Sequence, residues 1–404
     1  MNAVVRTPAG RFAAALVALC AAALIAACTP SNEPLTFEKA AAEATDSLVA
    51  QTGKLPSFLS KIESTLSSSG STAPKRSIVL DPMLDMITGQ QTETTLLFER
   101  RVTQRMATKF PQFEFLPFQA SNLTKAQFLL TGTMTRVPTA AKPTVNLSLA
   151  LTDIRTGVVV AQASALAKEE NLDSTPSRYY KDSPVLIKDK VVEGYARTTA
   201  TPAGQKADPY YMERIGVATV ITEATTLYNA ERYQDALGQY KTALATPQGQ
   251  QLRAESGLYL TSIKLGNTAE AEAAFGRIVA LGIAYNELGV KFLFNPGSTD
   301  FWSDPRVSGP YGMWLRQIAK EGTAAKVCMN VVGHTSKTGS EQVNDALSLQ
   351  RANFIKQRLA TESATLGART KTAGMGFRQN IVGSGTDNAV DALDRRVEFK
   401  IIPC

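Results

Sequence analysis

The chain has 404 residues, of which 44% are hydrophobic and 20% charged, and carries a formal net charge of +7 with one histidine. This is ordinary globular composition with room for about two to four domains. A single histidine argues against a Ser-His-Asp triad or a multi-histidine metal site, and no run of Lys and Arg interleaved with aromatic residues supports nucleic-acid binding.

The first segment, residues 1–27, has the layout of an export signal. Arg6 and Arg11 form a positive lead without acids, and an Ala- and Leu-rich run of about 16 residues follows, short of the roughly 20 a membrane span needs. It ends in Leu24-Ile25-Ala26-Ala27-Cys28, with small residues that fit a peptidase pocket and a thiol just beyond. That string resembles the lipobox of bacterial lipoproteins; the alternative is an ordinary signal peptide with an incidental cysteine. The resemblance implies a diacylglycerol on the Cys28 sulfur and, after cleavage, an acyl chain on its new amino group, with no other cofactor. In such lipoproteins an Asp at the second mature position favours inner-membrane retention. Thr29 stands there, which points to the outer membrane, facing the periplasm. Loss of Arg6 and Arg11 leaves a mildly basic mature chain, with at most a weak attraction to anionic envelope polymers.

Cysteine usage agrees with export. Cys20 leaves with the signal and Cys28 is lipidated, so Cys328 and Cys404 are the thiols that remain. In an oxidising periplasm such a pair invites a disulfide, against the alternative of two buried free thiols.

Residues 28–76 read as a lipidated polar and helical stalk, closed by the flexible Ser- and Gly-rich stretch after Leu66. Residues 77–166 then read as a small α+β domain, an α/β sandwich in miniature. Ser77 to Pro82 is a strand; Thr94 to Lys109 sets Phe98, Val102 and Met106 on one helical face; strands follow at Phe113 to Phe118, Ala126 to Gly132 and Val145 to Asp153, and after the Arg155-Thr156-Gly157 turn. The order, with Phe128-Leu129-Leu130-Thr131-Gly132 and the hairpin from Leu149 to Val160, resembles the domain shared by the TolB amino-terminal region, the curli-secretion lipoprotein and the lipoprotein activators of penicillin-binding proteins. That resemblance implies a protein-binding, non-catalytic domain. Residues 167–212, broken by Pro176, Pro184, Pro202 and Pro209, read as a long linker.

Residues 213–284 turn helical and repeat themselves. Leu227 to Pro247 aligns with Tyr259 to Ile278 at an offset close to the 34 residues of tetratricopeptide repeats. Ala236 and Ala271 take the small position, Tyr240 and Phe275 the large one. The pair resembles tetratricopeptide-like helical hairpins, the alternative being an unrelated helical hairpin, and must lean on its neighbours, because two repeats are fewer than the three usually needed.

Residues 285–404 follow a βαβαββ order: a strand at Val290 to Phe294, a helix at Tyr311 to Glu321 with Trp314 and Ile318 inward, a strand at Lys326 to Val332, and a helix at Ser340 to Ala360 burying Val343, Leu347, Phe354 and Ile355. Strands near Arg369 to Gly374 and Arg395 to Ile402 close it. The strings Gly333-His334-Thr335, Asn344 through Leu347-Ser348 to Arg351-Ala352, Gly374-Met375-Gly376 and Arg395-Arg396-Val397-Glu398 resemble the OmpA-like, peptidoglycan-associated domain. The resemblance implies a pocket for the diaminopimelate of the peptidoglycan stem peptide, built from Thr335, Ser336, Asn344, Leu347 and Arg351, with Arg396 either part of the pocket or structural. In that family an Asp after Gly-His-Thr takes the ammonium group and the helical Arg, here Arg351, takes the carboxylate. Ser336 occupies the Asp position. Losing one charge-assisted hydrogen bond weakens such a site by about 1.5–3 kcal/mol, roughly ten- to a hundredfold in affinity. His334 reads as a satisfied turn residue in preference to an acid or base. The string from Gly333 to Ser340 lacks the spacing of a phosphate loop.

The expected protein is therefore a multidomain α+β, non-enzymatic outer-membrane lipoprotein. Its partners would be membrane lipid, peptidoglycan, and envelope proteins bound through residues 77–166 and 213–284. The rival is a scaffold or activator lipoprotein of a secretion, pilus or wall-synthesis complex whose OmpA-like domain has lost peptidoglycan binding. Ser336 separates the two.

Overall fold

The computed structural model describes residues 33–53, 75–137, 142–186, 188–381, 385 and 391–404. The signal segment, Cys28 and the Ser-rich stretch lie outside them.

The expected stalk is corrected at once. Helix α1 (Phe37–Thr52) repeats apolar or small residues every third or fourth position, and this stripe of Phe37, Ala40, Ala41, Ala44, Leu48 and Val49 is buried. Small side chains let the helix lie close against a sheet, so its burial is part of the core and not a spacer. Leu35 extends the same sheet, donating from its amide to the Leu166 carbonyl and accepting from the Lys168 amide at 2.9 and 2.8 Å.

That sheet holds β1 (Arg76–Leu80), β2 (Leu84–Asp85), β3 (Phe113–Leu116), β4 (Phe128–Arg136), β5 (Thr144–Asp153) and β6 (Val158–Lys168), in the order β3-β1-β4-β5-β6 with β2 also on β4. β1 runs parallel to β3 and β4, and β4, β5 and β6 are antiparallel. Helix α2 (Glu93–Lys109) starts at a capping box between Thr92 and Thr95 and buries Phe98, Val102 and Met106. α1 and α2 share one core with the sheet. β4 is buried without alternation from Phe128 to Met134, the signature of a strand covered on both faces.

Its second cover comes from the segment expected to be a linker. Residues 178–182, α3 (Lys190–Ala200) and residues 209–212 are helical, and Tyr179, Tyr180, Val191, Tyr195 and Tyr211 are buried. The prolines end short helices here but do not prevent packing. Asp189 and Asp208 cap two of these helices, accepting from Val191 and Tyr211 amides respectively. Tyr195 Oη donates to the Gly132 carbonyl and accepts from its amide, and Tyr211 Oη donates to buried Asp81 at 2.6 Å.

Helices α4 (Ile215–Asn229), α5 (Tyr233–Leu244), α6 (Leu252–Lys264) and α7 (Thr268–Ala284) form consecutive antiparallel hairpins, α4 on α5 and α6 on α7. Ala236, Tyr240, Ala271 and Phe275 are fully buried. α6 is buried continuously from Leu252 to Ser262, because it lies between α5, α7 and the 178–182 turn.

The last layer comprises β7 (Glu287–Leu288), α8 (Tyr311–Ala324), β8 (Cys328–Gly333), α9 (Glu341–Glu362), β9 (Thr370–Gly374) and β10 (Val397–Ile402), in sheet order β7-β10-β8-β9. The strand expected at 290–294 is replaced by isolated bridges. Val290 pairs with Val185 and Lys291 with Val397, because the 184–186 segment captures this stretch through the Lys291 amide to Pro184 carbonyl and Leu186 amide to Gly289 carbonyl bonds. Val343 is 62% exposed, contrary to expectation, while Asn344, Ser348 and Arg351 are buried. One hydrophobic cluster runs from Val79 through the tyrosines and α4–α7 to Phe399. The separate domains expected from composition thus share a core, and Pro34–Cys404 is one compact unit.

Cys328 and Cys404 form a disulfide with Cα atoms 5.1 Å apart. β8 and β10 pair Cys328 with Ile402, which brings the terminus beside the strand. A denatured but unreduced mature chain is expected to titrate no thiol from this pair, and reduction should lower stability by about 2–4 kcal/mol, measured by urea unfolding with and without reductant.

Lys291 joins two layers as a buried ammonium. Its Nζ donates to the Tyr180 and Lys181 carbonyls at 2.8 and 3.2 Å, and burial, opposed by Asp182, pushes it down to about 7. The unfolded lysine holds its proton to about pH 10, so stability rises between about pH 7 and about pH 10, by at most about 1.4 kcal/mol per pH unit. Lys291→Met should flatten that slope in urea titrations; an unchanged slope would assign the titration elsewhere.

Candidate functional site

The expected pocket residues sit where β8, the loop 334–340 and the first turns of α9 meet. Two glycines permit the approach. A Cβ on Gly333 would lie 1.9 Å from the Ser348 carbonyl oxygen, and one on Gly374 would lie 2.6 Å from the Leu349 nitrogen, so α9 can touch the strand ends only where these positions lack side chains. Ser340 caps α9 by accepting from the Val343 amide. Asn344 then turns back onto the loop, its Nδ2 donating to the Thr338 and Ser340 carbonyls at 2.8 and 3.0 Å. Ser348 Oγ accepts from the Gly376 amide and donates to the Asp345 carbonyl.

Arg351, one turn further, is completely buried. Its Nε donates to the Ser298 carbonyl at 3.0 Å, Nη1 to the His334 carbonyl at 3.2 Å and Nη2 to the Asn295 carbonyl at 3.0 Å. The Phe294 ring centroid lies 5.1 Å from the guanidinium carbon. Main-chain dipoles therefore solvate this cation in place of water, as a buried charge requires. The turn 295–298 closes over the guanidinium from one side and the loop strand from the other.

Thr335 and Ser336 are buried beside it. The Thr335 amide donates to the Gly376 carbonyl at 2.9 Å, while its Oγ1 has no hydrogen-bond partner. Ser336 Oγ lies 3.3 Å from Thr338 Oγ1. Leu347 is half-buried. Arg396 works on another side of the sheet. With Glu398 it alternates against the core residues Val397 and Phe399, and its Nε donates to Glu398 Oε1 at 2.8 Å and its Nη2 to the Gln379 carbonyl at 3.2 Å. Burial opposes the charge on Glu398, yet His334 and Arg396 outweigh it and hold the carboxyl down at about 2. His334 is fully buried, and burial pushes its imidazole below the usual range despite the neighbouring Glu398. Neither ring nitrogen has a hydrogen bond, although Nε2 stands 3.5 Å from Glu398 Oε2. It is not the satisfied turn residue that was expected.

Sequence reasoning did not find Asn295, Ser298 and Gln379, which contribute only main-chain carbonyls. Side-chain motifs carry no signal for such contacts. Glu398 was legible as part of a string but not as the partner of both His334 and Arg396.

The carboxy-terminal part is an OmpA-like domain: residues 294–392 match the OmpA family. Among curated proteins, the chain is similar to the probable lipoprotein YiaD of Escherichia coli (strain K12), at 29% identity over 127 residues, which cover 30% of this chain and 56% of that protein. The chain thus spans little more than half of that relative's length. Solved structures with local similarity include the peptidoglycan-associated lipoprotein from Burkholderia pseudomallei, at 22% identity over 28% of this chain and 88% of that one, TM-score 0.23. Another is the carboxy-terminal domain of Helicobacter pylori MotB, at 20% identity over 28% and 84%, TM-score 0.23.

Because Arg351 satisfies buried carbonyls as well as its own charge, replacing it should act on folding before it acts on any ligand. Arg351→Met is expected to lower stability by about 3 kcal/mol or more, seen as an earlier urea midpoint, with Arg351→Lys recovering part of the loss. An unchanged midpoint in Arg351→Met would refute this assignment.

Proposed function

We propose that the protein is a non-catalytic outer-membrane lipoprotein, anchored through acyl chains on Cys28, that joins the membrane to the cell wall by its OmpA-like domain. The family match over residues 294–392 carries this reading, with the Gly333-His334-Thr335 loop and Arg351 as its candidate contact for the diaminopimelate of the stem peptide. Similarity to a protein described as a probable lipoprotein supports the anchored form. The amino-terminal sheet, in the manner of the TolB-like domain, and the tetratricopeptide-like helices α4–α7 would then present surfaces to other envelope proteins.

A second reading is favoured by one observation. All three donor nitrogens of Arg351 already serve main-chain carbonyls, and Ser336 offers no charge to an ammonium group. On that reading the protein is a scaffold or activator lipoprotein whose OmpA-like domain no longer holds peptidoglycan.

Retention of the whole mature chain on insoluble peptidoglycan distinguishes them, since the shared core argues against testing the last domain alone. Wild-type retention, increased about tenfold or more by Ser336→Asp, is the outcome expected of a wall-binding protein. Retention by Ser336→Asp without any by the wild type would sink the first reading in favour of the second.

A further inference from the structure

The imidazole of His334 stands out among the buried groups. It is the chain's one histidine, it is fully buried, and both ring nitrogens are without hydrogen bonds. A neutral ring left in this state forgoes a bond it could make. A charged ring could not remain so, because an imidazolium carries two donors and burial without acceptors is costly.

Its main chain is tied into the pocket on both sides. The His334 amide donates to the Arg396 carbonyl at 2.9 Å, and its carbonyl accepts from Arg351 Nη1 at 3.2 Å. Thr335 and Ser336, the next two residues, line the candidate site. Movement of the ring therefore has a direct mechanical route to the Arg351 seat.

The charges acting on the ring come from β10 and its leading residue: Glu398, Arg396 and Lys400. Arg396 already binds Glu398 Oε1, leaving Oε2 as the oxygen that faces His334 Nε2 at 3.5 Å. From α9, Arg351 meets the carbonyl of His334 and not its ring. On the 375–394 side, Asp394 accepts from the Ile381 amide and the Arg378 cation turns to Glu341 and Asp345, and neither ring nitrogen has a hydrogen bond from this side. Glu398 is thus the one counter-ion placed for an imidazolium among the described residues.

We infer that His334 is a proton-operated catch on the ligand loop: taking up a proton from solvent pulls its ring toward Glu398, loosens residues 333–338 and frees a donor of Arg351 for a ligand carboxylate. Near neutral pH the ring is uncharged and the seat is closed by carbonyls. On acidification Nε2–H closes the 3.5 Å gap to Oε2, while Nδ1–H must find solvent. Both demands strain the loop that Arg351 holds through the His334 carbonyl. The sign agrees with burial. A histidine pushed below its unfolded value contributes stability that is complete above about pH 6.5 and is lost as the pH falls through the folded value. Glu398, held down at about 2, stays ionised throughout that window.

The structural half of this inference stands alone; its consequence for binding rests on the wall-docking reading. Hydrogen exchange of the full mature chain, corrected for intrinsic rates and compared at about pH 7.5 and about pH 5, tests the first half. Amides of 333–338 should exchange several-fold faster at the lower pH in the wild type and not in His334→Gln. Unchanged exchange in the wild type, or the same increase in His334→Gln, would overturn it. Retention on insoluble peptidoglycan at the same two pH values tests the second half, and should rise on acidification in the wild type alone. Faster exchange with no retention at either pH would leave the catch standing and remove the wall as its ligand. Equal retention at both pH values in the wild type would overturn the coupling while leaving wall binding intact.

Discussion

A guanidinium placed where water cannot reach it dictates much of the carboxy-terminal architecture. Arg351 has to be solvated by something, and main-chain carbonyls at Asn295, Ser298 and His334 do it. Each carbonyl fixes a different piece of chain: the turn after Phe294, the end of that turn, and the loop leaving β8. Gly333 and Gly374 are required because α9 must come close enough to deliver the side chain. In the first half of α9 a polar stripe of Asn344, Ser348 and Arg351, at helical spacing, is buried, and the apolar Ala352, Ile355 and Leu359 follow it. The helix that carries the candidate site's string is thus a structural element of the domain.

A comparable economy joins the modules. Asp81 of the first sheet meets Tyr211, Tyr179 Oη reaches the Arg253 carbonyl of α6, Trp314 Nε1 reaches Tyr259 Oη at 2.8 Å, and Lys291 fastens the last layer to the 178–182 turn. Aromatic residues with one polar atom suit such seams, since they bury much apolar area while satisfying a partner group. Arg136 adds a direct link from β4 to the pocket side, donating to the Ile381 carbonyl while it pairs with Glu169. Packed side chains therefore join each layer to the next.

What could be read from residues follows a physical divide. Strands and helices with strong periodicity, such as Glu93–Lys109 and β4 to β6, declare themselves locally, and so do glycine-bearing strings that need particular backbone space. The segment 167–212 failed because polar composition and prolines were weighed above its tyrosines, whose burial depends on partners distant in sequence. Val343 failed for a related reason: an apolar residue was assigned inward when the inward face was reserved for a buried charge. The Lys291 bridge drew 290–294 out of regular pairing, a competition between distant segments that no local pattern encodes. Thr335, Ser336, Asn344 and Arg351 come together in the candidate site as their strings imply, but the three carbonyls that hold Arg351 could not be read there, because they are backbone atoms.

The burial of α1 changes what a lipid on Cys28 would mean. With a stalk through residue 76, the folded part could explore the space between membrane and wall. The sheet instead begins at Leu35, which pairs with β6. Only six residues separate Leu35 from Cys28, and the span between the two reaches at most about 25 Å however it is arranged. An anchored chain would keep its first sheet near the lipid surface. The pocket would not be far from that sheet either, because Arg136 pairs with Glu169 just past the end of β6 and donates to the Ile381 carbonyl on the pocket side.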